Sequence, residues 1–125
     1  ADMVNYPGCT TLWEGWGIGK AGFGGGSVNH AWSGGTLTLL SQYVAGISPI
    51  KPGFEVFQVK PQMGDLTSAQ VTVDTRYGMI RADIQRKGKR IQLHLEVPEG
   101  TSAIVMDHGK PICLKSGKHQ LNIKQ

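Results

Sequence analysis

The sequence predicts a mainly β chain, an antiparallel β-sandwich preceded by a glycine-rich, partly helical segment. Two observations carry this. Composition changes near residue 50: residues 1–50 hold all three tryptophans, 11 of the 18 glycines, one lysine and only two carboxylates, Asp2 and Glu14. The other 12 Lys/Arg and 7 Asp/Glu fall between Lys51 and Gln125. Past that boundary, apolar residues recur with period two, the pattern of strands that bury one face. A chain of 125 residues, 39% hydrophobic, supports one ordinary core rather than two large ones.

From Tyr6 to Gly35 the chain is glycine-rich and aromatic without periodicity, and a loop of that length builds a site or packs against structure elsewhere. Thr36 to Gly46 carries Leu39, Leu40, Tyr43 and Val44 at helical spacing, with Gly46 as a C-terminal stop and Pro49 shortly after. Pro49 and Pro52-Gly53 mark the boundary between the two regions, because proline removes a donor and restricts the residue before it. Phe54, Val56, Phe57 and Val59 predict a strand whose alternation slips by one, as at a bulge. Further strands follow at Val71 and Val73; Ile80, Ala82 and Ile84; Ile91, Leu93, Leu95 and Val97; Ile104 and Met106; and Leu121 and Ile123. Turn signals separate them at Tyr77-Gly78, Lys87-Gly88, Glu99-Gly100, His108-Gly109 and Ser116-Gly117. About seven strands are expected, at the roughly ten-residue spacing of a sandwich.

The net charge of +4 does not mark a polyanion-binding protein, since the cations are dispersed. The longest basic run, Arg86-Lys87-Gly88-Lys89-Arg90, reads as a solvated hairpin tip, and neither nucleic acid nor membrane is an expected partner. Cys9 and Cys113 lie far apart and signal neither a disulfide framework nor a metal site. The amino terminus lacks the basic and apolar regions of a signal peptide and reads as equally compatible with the cut edge of a longer chain.

Gly17-Ile18-Gly19-Lys20-Ala21-Gly22 matches GxGxxG, but no apolar strand precedes it and no acidic residue lies about 20 positions on, so a dinucleotide site is not expected. The stretch Thr10-Thr11-Leu12-Trp13-Glu14-Gly15-Trp16 is more informative. A carboxylate between indoles in an almost uncharged segment is costly to desolvate unless it is paired or has a chemical task. Tryptophan faces also suit the C–H faces of sugars. From these residues alone, a glutamate hydrogen-bonded to nearby backbone beside core tryptophans is an equally good reading. Asn29-His30-Ala31-Trp32 adds a histidine that reads as a general base, a hydroxyl partner or a structural residue. No second ligand stands at metal spacing, and no metal or other cofactor is expected. His94, His108 and His119 fall at exposed positions on or beside strands.

Taken together, Gly8-Cys9-Thr10-Thr11-Leu12-Trp13-Glu14-Gly15-Trp16, Ser27-Val28-Asn29-His30, Tyr43-Val44-Ala45-Gly46-Ile47 and Pro52-Gly53-Phe54 resemble the carboxyl-terminal part of bacterial α-L-rhamnosidases, in the same order and approximate spacing. The resemblance covers nearly the whole chain. It implies an (α/α)6-barrel catalytic domain followed by the β-sandwich, with residues 1–50 as the terminal segment of the barrel domain and residues 51–125 as the sandwich domain. The glutamate of the TTxWExW motif is the general base of an inverting mechanism in that family, and the histidine of the Asn-His motif lines the sugar site. Those roles fall on Glu14 and His30, with Trp13, Trp16 and Trp32 shaping the pocket. The chain departs from the family pattern at Gly15, Gly17 and Ala31, which bears on the sugar accepted.

An inverting glycosidase needs a second carboxylic acid about 6.5–9.5 Å from the base. No other carboxylate of this chain has a matching context, and the resemblance places the acid upstream of Ala1. The expectation is therefore a C-terminal fragment, inactive alone, of a parent that hydrolyses terminal α-L-rhamnosides. Its partners are the missing upstream barrel and a rhamnose-containing oligosaccharide or glycoside. The parent's compartment is left open among bacterial periplasm, exterior and cytoplasm. The competing reading is a non-catalytic carbohydrate-binding or structural accessory sandwich.

Overall fold

The computed structural model describes residues 11–15, 27 and 29–124. The chain divides into two compact units, residues 1–38 and residues 39–125. The second unit thus takes in Leu39 to Pro49, upstream of the compositional boundary at residue 50.

In the first unit the described residues are 11–15, 27 and 29–38. The last of these stretches contains a 3-10 turn, Ala31–Gly34, and the start of the α-helix α1, Gly35–Leu39. A π-helical turn follows at Leu40–Val44, closed by the Ala45 N–H donating to the Leu40 carbonyl at 3.0 Å. The helical spacing is therefore realised, but with a widened last turn. Of its apolar residues only Val44 packs against the sheet core; Leu39, Leu40 and Tyr43 are exposed.

The second unit is one six-stranded mixed sheet. Its strands are β1 (Ile47–Pro49), β2 (Val56–Val59), β3 (Ser68–Thr75), β4 (Gly78–Lys87), β5 (Arg90–Asp107) and β6 (Lys110–Lys124). The order is β1-β2-β5-β4-β3, with β6 also paired to β5. Strand β5 is long enough to serve two neighbours in succession: residues 81–87 of β4 pair with residues 90–96, and β2 pairs with residues 102–105. The sheet curls at the intervening bulge, and both halves turn their inner faces onto one core. Phe57, Val59, Ile80, Ile84, Leu93, Leu95, Ala103 and Val105 meet there, fully or almost fully buried. This is the sandwich the alternation predicts, with the β2–β5 pairing parallel and all others antiparallel.

Alternation holds where expected in β4 and in the first half of β5, where Ile91, Leu93, Leu95 and Val97 point inward. It misleads in the second half. Glu99-Gly100 is not a turn between strands: the register jumps from Val97↔Gly117 to Ser102↔Lys115, so residues 98–101 form a bulge within one strand. Gly100 has φ +74, which a bulge accommodates as readily as a turn. Inward positions continue through Thr101, Ala103 and Val105, and Ile104 and Met106 face outward at intermediate exposure. Ser116-Gly117 likewise lies inside β6 rather than between strands. The slip at Phe54 has a different cause: Phe54 ends a 3-10 turn at φ +65, and β2 begins only at Val56.

The bulge is held from within, since the buried Thr101 hydroxyl donates to the Pro98 carbonyl at 2.7 Å. Thr101→Val keeps the shape and removes that donor. Urea unfolding is expected to show a loss of about 1–2 kcal/mol, the cost of one unsatisfied buried partner.

At the other turns the sequence signals are realised. His108 and Gly109, both at positive φ, form a two-residue hairpin loop between β5 and β6 of the primed kind that matches strand twist. The basic run Arg86–Arg90 is the β4–β5 hairpin tip, with Lys87 pairing Arg90 across Gly88.

Candidate functional site

Two short segments of the first unit lie side by side. The Glu14 N–H donates to the Ser27 carbonyl at 2.9 Å and the His30 N–H donates to the Leu12 carbonyl at 3.0 Å. The Ser33 hydroxyl adds a short hydrogen bond to the Trp13 carbonyl. With few charges and little regular structure available, these backbone bonds are what fix the loop among the described residues. They bring Glu14 and His30, 16 positions apart, onto one spot.

There the Ser27 backbone N–H donates to Glu14 Oε2 at 2.8 Å, and His30 Nδ1 lies 3.5 Å from the same oxygen. Ser27 Oγ lies 3.2 Å from His30 Nδ1 and donates to the Asn29 carbonyl at 3.2 Å. The Glu14 and His30 side chains are 30% and 33% exposed, so solvent still reaches both and screens their mutual attraction. A carboxylate held on one oxygen by an amide N–H, with its other oxygen lacking a described partner, is oriented to take a proton from a water or hydroxyl.

The tryptophans fall in different settings. Trp13 is 4% exposed, whereas Trp32 is 68% exposed and its ring packs on the His30 imidazole at 4.4 Å between centroids, tilted by 48°. Trp32 therefore backs one face of His30 while leaving much of its own surface open. Trp16 lies outside the described residues, as do Gly17–Gly22, Asp2 and Cys9. Among the described residues no three His, Cys, Asp or Glu side chains come together as a metal site. No helix among them is long and apolar enough to cross a membrane.

Sequence reasoning assigns Ser27 no role, because its amide acts through the backbone and leaves no residue-type signature. The other histidines belong to the second unit: His94 and His108 are exposed on its sheet, and His119 Nε2 sits 2.8 Å from the Lys115 carbonyl. The outer face of that sheet carries a shallow groove of about 400 Å³ lined by Arg81, Asp83, His94, Glu96, Lys118 and Gln120. Arg81 pairs with Glu96 at 3.2 Å, and Asp83 accepts from the Gln70 amide at 2.9 Å. We read it as a solvated sheet face rather than a reaction centre.

Residues 46–120 match the family model described as the bacterial alpha-L-rhamnosidase C-terminal domain. An alpha-L-rhamnosidase of Formosa agariphila is 32% identical over 102 residues, covering 77% of this chain and 11% of that protein. The α-L-rhamnosidase of Aspergillus terreus superposes with a TM-score of 0.72 at 29% identity, over 78% of this chain and 12% of the other. That of Streptomyces avermitilis, solved with L-rhamnose, has the same fold at a TM-score of 0.77 and 24% identity, over 93% of this chain and 14% of the other. This chain thus spans only a small fraction of the length of each of these relatives.

Proposed function

The chain belongs to the family of bacterial α-L-rhamnosidase C-terminal domains, and from that membership we propose that it is the C-terminal part of an inverting α-L-rhamnosidase in which Glu14 is the general base. Residues 1–50 complete the catalytic (α/α)6 barrel and residues 51–125 form the domain that follows it. The observation that carries this reading is the Glu14 carboxylate held at Oε2 by the Ser27 N–H and flanked by His30. In the reaction, Glu14 Oε1 takes the proton of a water that attacks the anomeric carbon. A carboxylic acid outside this chain, about 6.5–9.5 Å away, protonates the departing oxygen. His30 contacts a sugar hydroxyl, the exposed Trp32 offers an apolar wall, and the buried Trp13 supports the loop from behind.

The exposed apolar side chains of Leu39, Leu40 and Tyr43 on one helical segment support a missing barrel partner, since exposed apolar surface of this kind marks an interaction site. The substrate is a terminal α-L-rhamnoside, in line with the relatives' names. The sugar product, followed by proton NMR while the full-length protein turns over an aryl α-L-rhamnoside, is expected to appear first as β-L-rhamnose. First appearance of the α anomer contradicts an inverting base.

One observation favours a second reading. The family match, residues 46–120, contains none of Glu14, His30, Trp13 and Trp32, as expected of a purely structural or sugar-binding accessory sandwich. Titration of the 125-residue chain with L-rhamnose, read by tryptophan fluorescence, separates the proposal from the sugar-binding form of this second reading. Our proposal expects no saturable change, because the rest of the pocket is absent; saturable binding favours the accessory module.

A further inference from the structure

Resting on the reading of Glu14 and His30 just given, we propose that Ser27 is a positioning residue that fixes the tautomer of His30, so that Nε2 is presented as a hydrogen-bond acceptor to a substrate hydroxyl. Two groups converge on Nδ1, Glu14 Oε2 at 3.5 Å and Ser27 Oγ at 3.2 Å, and the same hydroxyl reaches the Asn29 carbonyl. An ionised carboxylate oxygen can only accept, and Oε2 already takes the Ser27 backbone N–H. The Ser27 hydroxyl has the Asn29 carbonyl as an acceptor at 3.2 Å, and a hydrogen given to it leaves Oγ facing Nδ1 with a lone pair.

Nδ1 therefore carries the hydrogen in the neutral ring and donates toward both oxygens. With the opposite tautomer, two lone pairs would face Nδ1 across the same space, and the Ser27 hydroxyl would have to abandon Asn29. In the neutral ring, one nitrogen donates and the other accepts, so Nε2 is the acceptor. Among the described residues Nε2 has no hydrogen-bond partner. The Trp32 ring, packed 4.4 Å from the imidazole, limits its rotation. A sugar ring is rich in hydroxyl donors, and an acceptor of fixed direction selects one of them. Ser27 thus acts twice: its amide holds the base, and its hydroxyl sets which way the histidine reads the sugar.

The tautomer is read from ring nitrogen shifts by proton–nitrogen NMR on the 125-residue chain, at a pH where the ring is neutral. His30 is assigned among the four histidines by the signals that vanish in His30→Gln. A protonated Nδ1 and an unprotonated Nε2 are expected in the wild type, shifting toward protonated Nε2 in Ser27→Ala and returning in Ser27→Thr. In the full-length protein Ser27→Ala is expected to raise KM about two- to tenfold, the worth of one neutral hydrogen bond, with Ser27→Thr restoring it.

A protonated Nε2 in the wild type, or an unchanged ring in Ser27→Ala, overturns the role of Ser27. Normal turnover in Glu14→Gln overturns the base assignment instead and leaves the tautomer result standing, so the two failures are distinguishable.

Discussion

Glu14→Gln in the full-length protein is expected to lower kcat about 100- to 10,000-fold, the range typical of a lost general base. The substitution is nearly isosteric. The amide oxygen can still accept the Ser27 N–H, so the bond at 2.8 Å between residues 14 and 27 is retained. What is lost is the capacity to take a proton from water at neutral pH. Because the side chain is about one-third exposed, its contribution to folding is small, and the thermal midpoint is expected to stay within a few degrees of wild type. A kcat near wild type, or a collapse of the fold alongside the activity, would show that the residue is structural.

The largest stability effect is expected at Gly46. This residue has φ +73, and a Cβ added there would lie 1.9 Å from the Lys60 carbonyl oxygen and 2.6 Å from the Pro61 nitrogen. Both neighbours are backbone, and they are clamped: the Lys60 N–H donates to the Gly46 carbonyl and the Gln62 N–H to the Val44 carbonyl, each at 2.9 Å. The chain enters β1 through this contact, and β1 is tied only to β2 within the sheet. Gly46→Ala therefore combines left-handed strain of about 1–2 kcal/mol with overpacking of about 1–3 kcal/mol. A total of about 2–5 kcal/mol removes a large part of a domain's stability, about 5–15 kcal/mol. Gly88→Ala is the control: its φ is +64 but nothing lies within 4 Å of the added Cβ. It is expected to lose only the strain, about 1–2 kcal/mol. Equal midpoints for the two variants in urea would refute the steric part.

Most of the sheet was legible in the sequence because burial follows alternation wherever a strand keeps its phase. Ile80, Ala82 and Ile84 and then Ile91 through Val97 show this directly. The second half of β5 was not legible, for a physical reason. Glycine at positive φ serves turns and bulges alike, so Gly100 does not reveal whether the chain reverses or merely bends. The more hydrophobic Ile104 and Met106 then draw the eye from Ala103 and Val105, the residues that fill the core. Parallel pairing of β2 was equally hidden, since residues 56–59 and 102–105 are joined by no local turn.

At the candidate site the chemistry-bearing side chains, Glu14 and His30, stood out by their scarcity in an uncharged region. Their convergence required two backbone bonds, Glu14 to Ser27 and His30 to Leu12, that no motif encodes. The same holds for Ser27, whose amide could belong to any residue and whose hydroxyl matters only because the loop turns it toward His30.

Chemical rescue of Glu14→Ala in the full-length protein tests the base assignment most directly. Azide is small enough for the vacated carboxylate position and attacks without surrendering a proton, while the general acid still protonates the leaving oxygen. Azide is expected to restore turnover of an activated α-L-rhamnoside, with β-L-rhamnosyl azide as the product. Wild-type-like hydrolysis by Glu14→Ala without azide, or formation of the α azide, would contradict it.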